Sequence, residues 1–339
     1  MFGKIGIVYN DPVPGMYHNL GEESAVTGVL DSVAAVSQAL EQLGCKVVTL
    51  ALRPPLSLAE PELRKLDVDA VFNLFEGFDG LSETEAALAS VLETMGICFT
   101  GCPSKALLLC EDKSRAKQVL RSCGIPTANW QVLAPNTSAD FNLSFPCIVK
   151  PLGEHASHGI STKSVVRSLQ ALRRQLEFIN QKYRRPSLVE EFLPGREFCA
   201  LVVGNDRPEV FPIEEIIYVL PSTKAPILTY AAKWVPEDRY FSRTRAECPA
   251  DVDPELKQDI EGLALRCFVA LGCRGCARVD LRQNVEGQLM VLDVNPNPDI
   301  SQQGGARLQV TAAGIDYVAF IGDMLSLAKE HFDLARVGV

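Results

Sequence analysis

The residues best suited to chemistry lie in one short stretch near the C-terminus, residues 276–295. Its apolar runs and central polar turn predict a β-hairpin. Side chains two residues apart on a strand share a face, so Arg278 and Asp280 point together, as do Asp293 and Asn295. If the loop between the strands has an even number of residues, all four polar groups line one face of the hairpin.

Two carboxylates, one amide oxygen and one guanidinium group would then converge beside apolar flanks. Ionised groups are costly to bury unless they are paired or coordinate a cation. Hard oxygen ligands of this kind suit Mg²⁺, which is usually shared with substrate phosphates. A solvated strand face with scattered charges is the alternative, but the hairpin is otherwise apolar and its polar residues recur with a period of two.

Size and charge restrict the classes of protein that fit this chain. Its 339 residues are too many for one ordinary core and predict two or three domains. A net charge of −9 argues against a nucleic-acid partner held by counterion release, although a local cluster of cations can still bind a small polyanion. The N-terminal residues read as a first strand rather than a signal peptide, and no run approaches the ~20 apolar residues that span a bilayer. We therefore expect a cytoplasmic protein with no membrane partner.

The chain has eleven cysteines, which is a high and odd number. Cys273 and Cys276 form a C-x-x-C motif, but no second pair stands at the spacing of a zinc site. Others, such as Cys147 and Cys267, lie within apolar strand or helix patterns. We expect small core residues in a reducing compartment.

The first hundred residues alternate strand and helix patterns, which predicts an α/β domain with a parallel sheet and helices on its faces. No G-x-G-x-x-G follows the first strand, so a site for hydride-transfer dinucleotides is not expected there. Later residues read as α+β, and the predicted domains are 1–103, 104–186 and 187–339. The predicted strands of the first domain are 4–9, 45–52, 70–75 and 97–101, its helices are 22–43 and 82–95, and later helices are 104–123, 254–271 and 315–331.

A lysine and a glycine-flanked loop follow one another in the middle of the chain. Lys150 ends the apolar strand PCIVKP, where a charge is either a solvated strand end or a phosphate clamp. The loop GEHASHG, residues 153–159, favours the clamp, because such loops let backbone N–H groups approach phosphate oxygens, with Ser157 as a further donor. His155 and His158 could form a metal pair, but no ligand set is completed nearby, so we expect loop residues close to the ligand.

Three further features gain meaning only if a nucleotide binds. The segment VEEFLPGREF, residues 189–198, can present backbone groups and the Glu197 carboxylate to a purine and a ribose, or it can be an ordinary surface hairpin. Lys113 lies in a helical pattern and Lys233 in a long polar segment. Either lysine can be simply exposed.

In this order, the segments resemble the ATP-grasp superfamily, and most closely the D-alanine–D-alanine ligases. Residues 92–130 are similar to the ligases' LGIPYTG…DK…K…G-[IL]-P-T run. The hairpin is similar to their GCRGYARVDF…VLEVNPNPG block, with Cys276 where Tyr is usual. The likeness covers nearly the whole chain, and the ordered set of motifs is highly specific.

The resemblance implies an ATP-grasp fold, in which an N-terminal Rossmann-like parallel-sheet domain precedes two α+β lobes that enclose ATP. It implies ATP and two Mg²⁺ ions, with Mn²⁺ as a substitute, together with small amino-acid-like substrates and a homodimer. The implied reaction joins a carboxylate to an amine through an acyl phosphate. For ATP, the resemblance implies phosphate clamping by Lys113 and Lys150, loop closure by Ser157, a lid position for Lys233, adenine contacts by Glu190, Phe192 and Leu193, and ribose binding by Glu197. For the chemistry, it implies metal binding by Asp280, Asp293 and Asn295 and oxyanion stabilisation by Arg278. It also implies that Glu23 grips the ammonium group of the first substrate, or that Glu22 does, because an insertion at 12–21 blurs the match.

Several positions depart from the family pattern. Asp293 replaces the usual Glu, which is longer by roughly 1.5 Å. Asp299 follows NPNP where Gly is usual, and Gly304 and Gly305 stand where a Ser-Leu pair grips the carboxylate of the second substrate. The family's His-Gly near the amino-acid site is Glu76-Gly77. These changes fall on the amino-acid side while the ATP side matches, so we expect an altered or broader choice of substrate.

Three other functions are consistent with the same residues. The chain can be an authentic D-alanine–D-alanine ligase, or an ATP-grasp enzyme with another acceptor, such as a glutathione-synthetase-like ligase. It can also be a non-catalytic ATP-binding module. The set of Arg278 with Asp280, Asp293 and Asn295 argues against the last, because a protein that only binds ATP needs no oxyanion group.

Overall fold

Three β-sheets organise the chain in this computed structural model, which describes residues 3–302 and 304–337. The strands are β1 (Lys4–Asn10), β2 (Lys46–Leu52), β3 (Ala70–Leu74), β4 (Trp130–Leu133), β5 (Cys147–Pro151), β6 (Val165–Val166), β7 (Ser187–Glu191), β8 (Glu197–Gly204), β9 (Glu209–Val210), β10 (Glu214–Tyr218), β11 (Thr244–Glu247), β12 (Gly275–Gln283) and β13 (Leu289–Asn295). The helices are α1 (Met16–Leu20), α2 (Ser24–Thr27), α3 (Val29–Gln42), α4 (Ala59–Lys65), α5 (Glu83–Thr94), α6 (Ser104–Glu111), α7 (Lys113–Ser122), α8 (Leu169–Tyr183), α9 (Tyr230–Trp234), α10 (Arg239–Ser242), α11 (Pro254–Ala270), α12 (Gly305–Ala312) and α13 (Tyr317–Val337).

The first sheet is parallel, with the strand order β2-β1-β3. Helices α3 and α13 pack on one face, and α5 and α6 pack on the other. Strand β3 is buried throughout and apolar except for Asn73, because both faces of the sheet are covered. The fourth strand predicted at 97–101 is wrong: only Phe99 pairs with Val71 as a single bridge before the chain turns at Gly101, whose φ is 97°.

Two antiparallel sheets follow the first domain. One has the order β4-β7-β5-β6 and packs against α8, while the other has the order β11-β10-β8-β12-β13, with β9 paired to β8, and packs against α11. Strand β7 begins just after the boundary predicted at residue 186, yet it hydrogen-bonds with β4 and β5. It therefore belongs to the sheet of the middle segment, and the domain boundaries themselves stay predictions.

Two helices predicted as continuous are each interrupted. The helix predicted at 22–43 divides at Gly28, a poor helix former, into α2 and α3. The helix predicted at 104–123 divides at Asp112, whose backbone is extended and whose side chain accepts from two N–H groups at the start of α7. This cap starts a new helix at Lys113.

The structure also contains helices that the sequence pattern did not predict. Helices α9, α10 and α12 are short, and the first two interrupt the long polar segment 221–250. In the described part of the chain, no single helix has the length and hydropathy to cross a membrane. One bent pair, Gly305–Ala312 with Tyr317–Leu334, meets that test by length and composition.

Candidate active site

Strands β12 and β13 form the predicted hairpin, but the loop between them is odd. Near the turn Gln283 pairs with Leu289, which leaves the loop 284–288. If this register continued, Asp280 would lie opposite Leu292. The polar side chains of the two strands would then point to opposite faces of the hairpin, because a shift of one residue inverts a strand's faces.

A β-bulge corrects the register. It lies between Asp280 and Leu281, and beyond it Arg278 pairs with Asn295 and Asp280 pairs with Asp293. Directly opposed residues share a face, so the four polar groups line one cleft. The predicted convergence is present, and it depends on the bulge rather than on an even loop.

The cleft lies between the four-stranded and the six-stranded sheet. Its walls come from β5, the loop that follows β5, the connection between β7 and β8, and the β12–β13 hairpin. Every predicted site residue except Glu23 lines it. These residues are Lys113, Lys150, Ser157, Glu190, Phe192, Leu193, Glu197, Lys233, Arg278, Asp280, Asp293 and Asn295.

Each aspartate of the hairpin carries a counter-ion from the chain itself. Arg278 donates from Nε and Nη2 to the two oxygens of Asp280, at 2.6 and 2.9 Å. The ammonium group of Lys113 lies 2.5 Å from Asp293 Oδ2. Burial would raise the pKa of Asp293, but Lys113 outweighs it and holds that pKa below its ordinary value. Each carboxylate therefore already binds a positive group, which is the kind of partner that a metal ion would also be.

The donor set fits a hard divalent cation. It offers two carboxylates and one amide oxygen on a single face, which are the ligand types that Mg²⁺ prefers. Among the described residues, no three His, Cys, Asp or Glu side chains form a metal cluster by themselves. An ion bound here would therefore need further oxygen ligands to complete its coordination. Lys113 and Arg278 would release their aspartates as the ion binds.

Glu190 is held by two lysines. Lys117 Nζ lies 2.7 Å from Oε1 and Lys150 Nζ lies 2.8 Å from Oε2, and the Glu190 side chain is only 1% exposed. Burial would raise the pKa of Glu190, but the two ammonium groups hold it at about 2. Lys117 was not predicted as a site residue. Its position four residues after Lys113, on the same helix face, is the signal that could have found it.

Arg282 is a second residue that the sequence interpretation missed. Its Nη1 donates to Glu197 Oε2 at 2.7 Å, and the Tyr218 hydroxyl donates to the same oxygen at 2.7 Å. The Arg282 guanidinium also lies 5.5 Å from the centroid of the Phe192 ring. Arg282 stands two residues after Asp280 on the same strand, so the period-two argument could have included it.

The loop 153–159 has a fixed backbone next to the cleft. Ala156 and Ser157 have φ values of 53° and 62°, in the left-handed region that such residues adopt only at a cost. The Trp234 indole Nε1 donates to the Ala156 carbonyl at 3.0 Å. Lys233, next to Trp234 on α9, lines the cleft, and burial together with Arg278 lowers its pKa.

The structure corrects the position expected for Glu23. This residue is exposed at the start of α2 and does not line the cleft. Glu22 points inward instead, where it accepts from His158 Nδ1 at 2.8 Å, from the Tyr183 hydroxyl at 2.9 Å and from the Gly159 N–H at 3.3 Å. Three donors thus engage the Glu22 carboxylate, and a substrate grip by either acid stays a prediction.

Comparison with known proteins gives consistent matches along the chain. A family described as D-ala D-ala ligase C-terminus matches residues 119–326. The chain is 30% identical to the uncharacterized protein y4sG of Sinorhizobium fredii, over 97% of this chain and 98% of that protein. It is 31% identical to a D-alanine–D-alanine ligase of Pseudomonas putida, over 93% of this chain and 90% of that protein.

Solved structures share the fold. A D-alanine–D-alanine ligase from Bacillus anthracis complexed with ATP superposes with a TM-score of 0.75 at 20% identity, over 98% of this chain and 99% of that one. The VanG D-Ala:D-Ser ligase from Enterococcus faecalis gives a TM-score of 0.74 at 20% identity, over 97% and 100%. The predicted ATP-grasp fold is confirmed. The chain belongs to the D-alanine–D-alanine ligase family of ATP-dependent, ADP-forming ligases.

Proposed function

We propose that the protein joins a carboxylate substrate to an amine through an acyl phosphate, and that its acceptor differs from that of D-alanine–D-alanine ligases. The observation that carries the first part is the convergence of Arg278 with Asp280, Asp293 and Asn295 in one cleft. A nucleotide-binding module has no need of a guanidinium group beside metal-binding carboxylates.

The reaction brings negative groups together twice. The substrate carboxylate attacks the γ-phosphorus of ATP and releases ADP, and then the amine attacks the acyl carbonyl and phosphate leaves. Catalysis is therefore mostly positioning and charge neutralisation. Two Mg²⁺ ions held by Asp280, Asp293 and Asn295, or Mn²⁺ in their place, would neutralise phosphate charge. Arg278 cannot lose its proton and would stabilise the oxyanion at the acyl carbon.

The other residues of the cleft suit the nucleotide. The two clamp lysines are already directed into it by their ion pairs with acids. We infer phosphate binding by Lys113, Lys150, Lys233 and Ser157, adenine contacts by Glu190, Phe192 and Leu193, and ribose binding by Glu197. We also infer a cytoplasmic homodimer acting on small amino-acid-like substrates, without a nucleic-acid or membrane partner.

Two glycines support the second part of the proposal, the altered acceptor. A Cβ atom added at Gly304 would lie 2.6 Å from the Asp299 carbonyl oxygen, and one at Gly305 would lie 2.8 Å from Glu214 Oε2. A side chain at Gly304 would require a shift of the backbone, and one at Gly305 would require the Glu214 side chain to move. The glycine pair therefore lets the buried Glu214 carboxylate approach the start of α12, the position that the family resemblance assigns to binding of the acceptor's own carboxylate.

Neighbouring acids make the surroundings of the start of α12 unfavourable for further negative charge. Desolvation and the like charges of Asp299 and Glu85 raise the pKa of Glu76, although its side chain is open to solvent. Burial also raises the pKa of Glu214, and the nearby Asp280 adds to this effect while Arg278 opposes it. Raised carboxyl pKa values mark surroundings that disfavour anions. We therefore propose an acceptor with no carboxylate at this end, such as an amine or an amino-acid amide.

A product screen tests this proposal. Amino acids are each compared with their amide and their decarboxylated amine, as acceptors for a panel of carboxylates, by ATP-dependent phosphate release and product mass. We expect carboxylate-free acceptors to have kcat/KM values higher by about tenfold or more, because an acceptor carboxylate would lose its hydration beside the buried Glu214. Preferred formation of D-alanyl-D-alanine would instead support the authentic ligase, as the names of curated relatives do. ATP binding without phosphate release from any pair would favour the non-catalytic module.

Asp293→Asn should raise the Mg²⁺ concentration needed for half-maximal activity by about tenfold or more, because an amide carries no charge. Substitution of residues that only contact a metal's ligands already lowers metal affinity by about tenfold or more, so loss of a ligand's charge should lower it at least as much. The measurement is a Mg²⁺ titration at saturating ATP. Asp259→Asn, at an exposed carboxylate on α11, is the matched control and should leave the titration unchanged. An unchanged midpoint in Asp293→Asn would remove this residue from the metal site.

A further inference from the structure

His155 lines the cleft and carries a buried ring nitrogen without a partner. Its Nε2 atom is inaccessible to solvent and makes no hydrogen bond within the described residues, although His155 lines the same cleft as Lys113 and Asp293. A buried polar atom without a partner costs free energy, so its place in a binding cleft indicates a ligand atom that completes it.

The surroundings of His155 determine which kind of atom that is. Burial and the nearby Lys113 ammonium lower the pKa of His155 to about 3, and Asp293 opposes this shift. The imidazole is therefore neutral at pH 7, with one nitrogen that donates and one that accepts. Lys113 is placed to attract an anion, so an anionic oxygen bound there would accept from Nε2–H.

The backbone of the loop that carries His155 is held in place before any ligand binds. The backbone carbonyl of His155 accepts from the His158 N–H at 3.0 Å, which closes a turn. The His158 ring is stacked on Tyr17 at a centroid distance of 3.8 Å, and Trp234 fixes the neighbouring Ala156 carbonyl. Because these contacts fix the loop backbone, only the side-chain torsions of His155 are left to adjust when a ligand meets the imidazole.

We propose that His155 is a phosphate-positioning residue, and that its Nε2–H donates to an oxygen of the nucleotide's β- or γ-phosphate beside Lys113. The residues inferred to contact adenine, Glu190, Phe192 and Leu193, belong to β7 and the connection after it, whereas His155 belongs to the loop after β5. The inference rests on the proposed nucleotide site, but it requires neither the proposed acceptor nor turnover.

Binding of AMP, ADP and ATP to His155→Ala, measured by titration calorimetry, tests this role. We expect the dissociation constants of ADP and ATP to rise about tenfold and that of AMP to stay within about twofold, since only the first two carry the contacted phosphates. His155→Gln keeps a donor and should recover part of the loss. His18→Ala, at an exposed histidine of α1, is the control and should bind all three nucleotides normally.

Three results would overturn the proposal. One is unchanged ADP and ATP affinity in His155→Ala, and a second is an equal loss for AMP, which would indicate a general distortion of the loop. The third is a loss of ADP affinity that disappears when Mg²⁺ is omitted, which would make the imidazole a metal ligand. If His155→Ala does not fold, the ratio of AMP to ATP affinity in His155→Gln and His155→Asn decides between the same outcomes. All of these results are independent of substrate identity, so failure of the ligase proposal leaves them interpretable.

Discussion

Arg278→Gln should lower kcat by about 10²–10³-fold while nucleotide affinity stays within about twofold. The guanidinium is the permanent cation opposite Asn295, and its paired N–H groups match the two oxygens of Asp280. Glutamine keeps one N–H donor group but removes the charge, so the interaction lost is the one that grows as the oxyanion forms. Steady-state phosphate release and nucleotide titration on the same preparation separate the two effects.

Two variants make this result specific. Arg278→Lys keeps the charge but not the planar pair of donors, so its kcat should fall between those of the wild type and Arg278→Gln. Arg239→Gln, at an exposed arginine of α10, should behave as the wild type. If Arg278→Gln kept its kcat and lost nucleotide affinity instead, Arg278 would be a nucleotide ligand and the oxyanion role would be wrong.

Lys150→Ala should lower kcat/KM for ATP by about 100-fold or more and leave the fold intact. The Lys150 ammonium lies in the cleft, 2.8 Å from Glu190, and would exchange this carboxylate for a phosphate oxygen when ATP binds. Glu190 keeps a counter-ion in the variant, because Lys117 also holds it. A buried charge is therefore not left unpaired, which is the usual cause of unfolding after such a substitution.

Thermal unfolding and ATP kinetics should be measured together for Lys150→Ala. Lys163→Ala, at an exposed lysine that follows the loop 153–159, serves as the control and should match the wild type in both. ATP kinetics close to the wild type in Lys150→Ala would remove this residue from the phosphate site. A large drop in thermal stability would show that Lys117 alone cannot neutralise Glu190.

Local patterns predicted those parts of the fold in which one segment decides its own structure. The strands at Lys4–Asn10, Lys46–Leu52 and Ala70–Leu74 agree with the predictions, because continuous apolar runs between turn signals have few alternatives. The break at Asp112 was missed although Asp is a strong helix-capping residue, because the apolar periodicity continues on both sides of it. Phe99 forms only a single bridge, although a strand was predicted there. The local pattern shows that the segment is apolar, but it does not show how many residues of the neighbouring strand β3 are available for pairing.

Position in the site was predictable where it follows from spacing and not where it follows from packing. Lys150 at a strand end, and the period-two acids of the hairpin, line the cleft as expected. The choice between Glu22 and Glu23 depended on how α1 and α2 pack against the loop 153–159, and the sequence interpretation favoured the residue that is exposed. The role of Lys117 was not predictable, because it depends on an ion pair with Glu190, which is far away in the sequence.

The sequence by itself determined the family, the order of the motifs and the types of the polar groups that enter the cleft. Only the tertiary structure decided that these groups meet. The odd loop of the hairpin would have turned Asp293 away from Asp280, and the β-bulge turned it back. The physical reason is that side chains on a strand alternate with a period of two, so one inserted residue inverts a face, and no local pattern in the chain specifies where that insertion falls.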